Sequence, residues 1–215
     1  WLREDFWAGG APQETDFGAG LSASFRGNIG GFLNYGRRGF NFNSALYDGF
    51  FSGPSENAVV PVSEGSELYS GLHSLSLRSW ISSFETVRIS LGGGWNQTPI
   101  FSSGLPLDVG ERWSGDLGFT FYPTGSIQAE IGARHVTILR GLDGSTYSQA
   151  TIPRLQARYQ VSRALYVRGI GEYSSQKRGD LLDPVTGEQV YTCSEQECSA
   201  RLGSDRHDFR VEGLL

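Results

Sequence analysis

The sequence contains no methionine, two cysteines and three histidines, and nowhere a stretch of about 18 apolar residues, the minimum for a membrane-crossing helix. That excludes a transmembrane helix but not a β-barrel, whose strands turn every second residue away from lipid. Basic residues are also scarce. Eighteen Lys and Arg stand against 23 Asp and Glu, giving a net charge of −5 and a pI near 5.2. No local basic cluster interrupts this balance, so nucleic acid is not an expected partner. His73, His135 and His207 lie too far apart in sequence to mark a nucleophile and its base, so no enzyme activity is expected. No cofactor motif is present either. The opening WLREDFWAGG has neither a basic n-region nor an apolar h-region, so any export signal is expected upstream of it.

What the chain does contain is 30 glycines, 13% aromatic residues and long runs of two-residue alternation. In Ile152–Ser175, Leu155, Ala157, Tyr159 and Val161 share one face of a strand, while Arg154, Gln156, Arg158 and Gln160 share the other. After Ser162-Arg163-Ala164, Leu165, Val167, Gly169, Gly171 and Tyr173 repeat the apolar face. Each arm is about ten residues deep, longer than the usual soluble strand and close to the roughly 9–11 residues of a tilted membrane strand.

Similar alternation predicts about eight complete strands and one begun. The predicted order is a lead-in loop at 1–16, a strand meander over 17–175, a long external loop at 176–205 and the start of a further strand at 206–215. Short connections at 27–30, 80–83, 122–126 and 162–164 alternate with long ones at 44–66, 97–111, 141–150 and 176–205. This is the pattern of short periplasmic turns and long external loops in an antiparallel up-and-down transmembrane β-barrel. The segment 44–66, carrying Asp48-Gly49, Gly53-Pro54 and Pro61, is expected to hold no central strand. Trp80, Phe84, Tyr122 and Tyr166 near the short turns, and Trp95, Trp113 and Tyr173 near the long connections, are expected to form two aromatic girdles.

In such a barrel the polar faces line the interior. Asp116, Glu130, Arg134, Arg158, Arg168, Glu172, Arg210 and Glu212 are then expected to be lumen-lining, either as opposed charges of a pore or as a salt-bridged filling. Cys193 and Cys198, spaced C-x4-C in the longest loop, favour a local disulfide in an oxidising compartment. The alternative is a metal site with Glu195, Glu197 or His207, but four ligands at a recognisable spacing are lacking, and no metal is expected.

The runs IPRLQARYQVSRALYVRGIGEY, RGDLLDPVTGEQV and HDFRVEGLL resemble the C-terminal barrel of a bacterial family of unknown function. Its members join an N-terminal sandwich, similar to a family-9 carbohydrate-binding module, to an outer-membrane β-barrel. The resemblance implies the bacterial outer membrane as location and further strands or domains of the same polypeptide as partners. The expected function is a segment of a larger barrel, channel or transport-associated, in contact with outer-membrane lipid. The alternatives are a plugged surface anchor for a glycan- or protein-binding module and a structural subunit bound to other envelope proteins.

Overall fold

The computed structural model describes residues 2–6, 12–41, 49–62, 68–102, 105–194 and 197–214. Among these residues the protein is all-β, without a helix. Its strands are Leu2–Phe6 (β1), Pro12–Phe25 (β2), Ile29–Asn41 (β3), Phe50–Gly53 (β4), Val60–Pro61 (β5), Leu68–Ile81 (β6) and Val87–Ser102 (β7). They continue as Leu105–Thr124 (β8), Ile127–Leu139 (β9), Thr146–Gln160 (β10), Tyr166–Arg178 (β11), Gln189–Ser194 (β12), Glu197–Ala200 (β13) and Ser204–Leu214 (β14).

Ten strands form one antiparallel up-and-down sheet in the order β1-β2-β3-β6-β7-β8-β9-β10-β11-β14. Nine of them are the predicted meander, and tight hairpins join its short ends. Three residues, Arg26, Gly27 and Asn28, connect the paired Phe25 and Ile29, and Gly27 and Asn28 take φ of 87° and 54°, the left-handed region that glycine and asparagine enter most readily. The outer strands β1 and β14 each pair on one side only, so among the described residues the sheet is open.

Three expectations need correction. The lead-in segment 1–16 is not all loop: it holds β1, and β2 already begins at Pro12. Within the expected excursion at 97–111, residues 97–102 and 105–111 are instead strand, because β7 and β8 run on together beyond the rest of the sheet. Pro99 is tolerated there because the β6–β7 ladder stops at Asn96, leaving one side of β7 without a neighbour to bond.

The third correction concerns the long loops. Segments 44–66 and 176–205 together build a second, four-stranded sheet ordered β13-β12-β4-β5, in which β4 is internal. Most of the buried apolar core lies here rather than in the large sheet. Phe50, Val62, Leu181 and Val190 pack with Ile100, Tyr147 and the half-buried Ile138, and Val190 is fully buried. This cap is fastened to the large sheet by Arg140, which lies over the Tyr147 ring at 5.3 Å and donates to the Asp180 carbonyl.

Candidate functional site: two faces of a staggered sheet

Register fixes which side chains share a face, since directly paired residues project together. One continuous row runs Phe25, Ile29, Ile81, Ile89, Phe119, Ile131, Leu155, Gly171, Val211. Neighbouring rows on that face carry Leu21, Leu33, Leu77, Leu91, Leu117, Tyr173 and Phe209. Nothing among the described residues covers this face: Leu21 is 75% exposed, Phe209 73% and Val211 68%. Its apolar band spans nine residues from Phe17 to Phe25 in β2, from Trp113 to Phe121 in β8, and from Leu165, just before β11, to Tyr173.

The opposite face is polar. Asp116, Glu130, Arg134, Arg158, Arg168, Glu172, Arg210 and Glu212 all project from it, as their registers with one another and with Gly92, Gln156 and Ile170 require. Several are paired. Arg78 reaches across β7 to Asp116 at 3.9 Å, passing over Gly92, where an added Cβ would lie 2.3 Å from the Asp116 carboxylate. Glycine is needed there because any side chain would block the span. Arg134 stands directly opposite Asp116; Arg154 meets Glu172 at 3.9 Å, and Arg210 meets Glu212. Among the described residues Glu130 has no ion pair, and Arg158 and Arg168 meet no carboxylate. A trough of about 660 Å³ runs along this face, lined by Asp16, Asn34, Ser76, Arg78, Asn96 and Asp116 among others. Sequence reasoning left Asp16, Arg38 and Arg78 out of this set, although strand parity alone places Arg78 on the polar side.

The aromatic residues divide differently from the expectation. Trp95 and Trp113 pair directly at the long-connection edge of the apolar band, with ring centroids 6.4 Å apart, and Tyr173 continues that edge beside His207. Trp80, Tyr122 and Tyr166, however, project from the polar face. Trp80 covers Gly30, Tyr122 meets Arg88 at 3.3 Å, and Arg158 stacks on Tyr166 at 4.7 Å. Their parity decides this: the neighbours Ile81, Phe121 and Val167 already occupy the apolar face, so the residues beside them must turn away. Phe84 lies outside the strands, exposed in the β6–β7 connection. The aromatic residues that do end the apolar band at the short turns are Phe25, Phe121 and Tyr159.

Cys193 and Cys198 are directly opposed across the β12–β13 hairpin and joined as a disulfide. So small a ring stabilises the cap by only about 2 kcal/mol in the chain-entropy view. The disulfide takes up both sulfurs, so neither is a thiolate ligand for the alternative metal site; of its other candidates, Glu195 lies outside the described residues.

No family model, curated protein or solved structure matches this chain. Its geometry alone therefore carries the functional argument.

Beyond the apolar band, at the base of the cap, burial raises the Asp108 carboxyl above its ordinary range, against opposing hydrogen bonds from the Val109 and Gly141 amides and the Arg140 charge. A carboxyl raised on folding binds its proton more tightly in the folded state. Its contribution is greatest at acid pH and is lost as pH rises from the ordinary value of 3.8 through the folded pKa. Asp108→Asn should therefore flatten this dependence: the urea midpoint of cap unfolding in wild type should gain on the variant between pH 7 and pH 4.

Proposed function

We propose that this chain is part of an outer-membrane β-barrel that acts as a channel or transport-associated protein. In this reading the apolar face meets lipid, the polar face lines the lumen and the cap stands at the external mouth. The observation that carries it is the uncovered apolar band, because a soluble monomer rarely leaves more than a few hundred Å² of contiguous apolar surface bare. The stagger of the sheet supports the same conclusion. Following the paired row from Phe25 leads to Leu155, whereas the equivalent turn on β10 lies six residues further on, at Val161. With ~3.3 Å per residue and ~4.8 Å between strands, keeping these turns level in a membrane tilts the strands by roughly 35°, within the range of membrane barrels. Nine residues at that tilt span roughly 25 Å, the height of a barrel's lipid-facing band. The aromatic edge descends in the same sense, from Trp113 in one row to Tyr173, four residues before that row's Lys177.

Selection by charge follows from the polar face. Asp116, Arg134, Arg78, Arg154 and Glu172 set carboxylates against guanidiniums on neighbouring strands, and such rings bias which solutes pass. The test is single-channel conductance of the full-length protein in a planar bilayer. Steady conductance whose ion preference changes in Asp116→Asn supports the channel. A silent bilayer, with insertion demonstrated separately, removes it.

One observation favours the plugged-anchor reading. Ile100 and Ile138 of the cap core belong by strand parity to the polar face, so the cap closes over that side of the sheet. In that case the loops would be the binding surface and the sheet their support.

A further inference from the structure

Among the described residues only some arginines of the polar face meet a carboxylate; Arg88, Arg112 and Arg134 form no ion pair there. Arg38, Arg78, Arg154 and Arg210 each meet a carboxylate. Arg158 and Arg168 are directly opposed across the β10–β11 ladder, a like-charge pairing that works against the hairpin, and neither meets a carboxylate among the described residues. The acids one row away do not relieve them. Glu212 is held by Arg210, and Glu130 stands opposite Gln156 without forming an ion pair.

Both guanidiniums are nevertheless held in place. Arg168 Nη2 donates to Gln156 Oε1 at 3.0 Å, and Arg158 lies 4.7 Å above the Tyr166 ring centroid. Arg168 Nε is buried and has no acceptor, an arrangement that is costly unless something else supplies one. Between these groups lies a hollow of about 270 Å³, lined by Gln128, Gln156, Arg158, Tyr166 and Arg168. Two oriented guanidinium forks, a phenol and two amides around a small space are a donor set for an anion with several acceptor oxygens.

We propose that Arg158 and Arg168 form a binding site for a small oxyanion, taking solutes that carry a carboxylate, sulfate or phosphate group near the short-turn end of the polar face. The site deepens the channel reading by naming a solute class, and depends on it only for the route of access. The bound anion offsets the Arg158–Arg168 repulsion and gives Arg168 Nε its missing acceptor.

The test titrates the full-length protein in detergent with inorganic phosphate, followed by ³¹P line broadening, with sulfate and acetate as competitors. Saturable broadening is expected, displaced by both competitors if the site takes oxyanions generally and by sulfate alone if it requires a tetrahedral group. Arg158→Gln and Arg168→Gln should each weaken binding about tenfold or more, the scale of one lost charge-assisted hydrogen bond. Arg210→Gln, which removes a guanidinium already paired with Glu212, should not. Arg168→Lys keeps the charge and should bind measurably but less tightly, so a folding failure in the Gln variants does not decide the matter. Absence of saturable broadening in the wild type, or equal binding in Arg168→Lys and Arg210→Gln, overturns the site. A conducting protein that binds no phosphate loses the site and keeps the channel; a silent one that binds phosphate loses the channel and keeps the site.

Discussion

Leu117→Arg is expected to destabilise the folded protein in a bilayer by about 2–4 kcal/mol, the penalty typical of a basic residue at the midplane of a barrel's lipid face. Leu117 sits at the middle of the β8 band, between Trp113 and Phe121, and is already 47% exposed in the chain itself. Were the protein soluble, exchanging one exposed side chain for another there would move stability by no more than about 0.5 kcal/mol. The two environments thus predict very different results from a single substitution. Thr120→Arg provides the control, because Thr120 pairs with Arg88 and Glu130 on the polar face and should tolerate the change in either environment. Denaturant unfolding of the full-length protein in lipid vesicles measures both.

Phe50→Ala is expected to unfold the cap while leaving the ten-strand sheet intact. Removing a buried phenylalanine costs about 3–5 kcal/mol, and the cap core has few other residues to absorb the loss. The cap strands β4, β5, β12 and β13 are two to six residues long, so their ladders supply little compensation. Hydrogen exchange reports this locally. The Val190 amide, bonded to the Leu181 carbonyl at 2.9 Å, and the Cys193 amide, bonded to the Gly49 carbonyl at 3.0 Å, should lose protection. Amides in the β8–β9 ladder should keep theirs. If the cap narrows a lumen, the same variant should raise conductance; unchanged conductance with the cap unfolded would mean that the cap does not obstruct the path.

The large sheet was legible in the sequence because its information is local and periodic. Leu155, Ala157, Tyr159 and Val161 against Arg154, Gln156, Arg158 and Gln160 define a strand, its faces and its register with the next arm, and the structure pairs Arg158 with Arg168 as that alternation requires. The polar-face residues followed from the same rule. The girdle was only partly legible, since nearness to a turn does not fix a face: Trp80, Tyr122 and Tyr166 lie beside turns, but their parity turns them to the polar side.

The cap was not legible, for a different reason. Phe50 and Val190 are 140 residues apart in sequence, and their strands lie in segments punctuated by Gly53, Pro54, Pro61, Pro184 and Gly187. Strands this short leave no periodic signature, and only their mutual burial identifies them as a unit. Arg140 is a similar case. As one residue in a loop it carries no signal, yet it ties the cap to the sheet through Tyr147 and Asp180.

The most direct test of the central claim places a fluorophore on single engineered cysteines at successive β8 positions from Asp116 to Phe121 and reads quenching by brominated lipid in vesicles holding the full-length protein. Probes at Leu117, Phe119 and Phe121 should be quenched and those at Asp116, Gly118 and Thr120 should not, giving a strict two-residue alternation. Equal quenching at all six positions, or none at any, would contradict a sheet with one face in lipid.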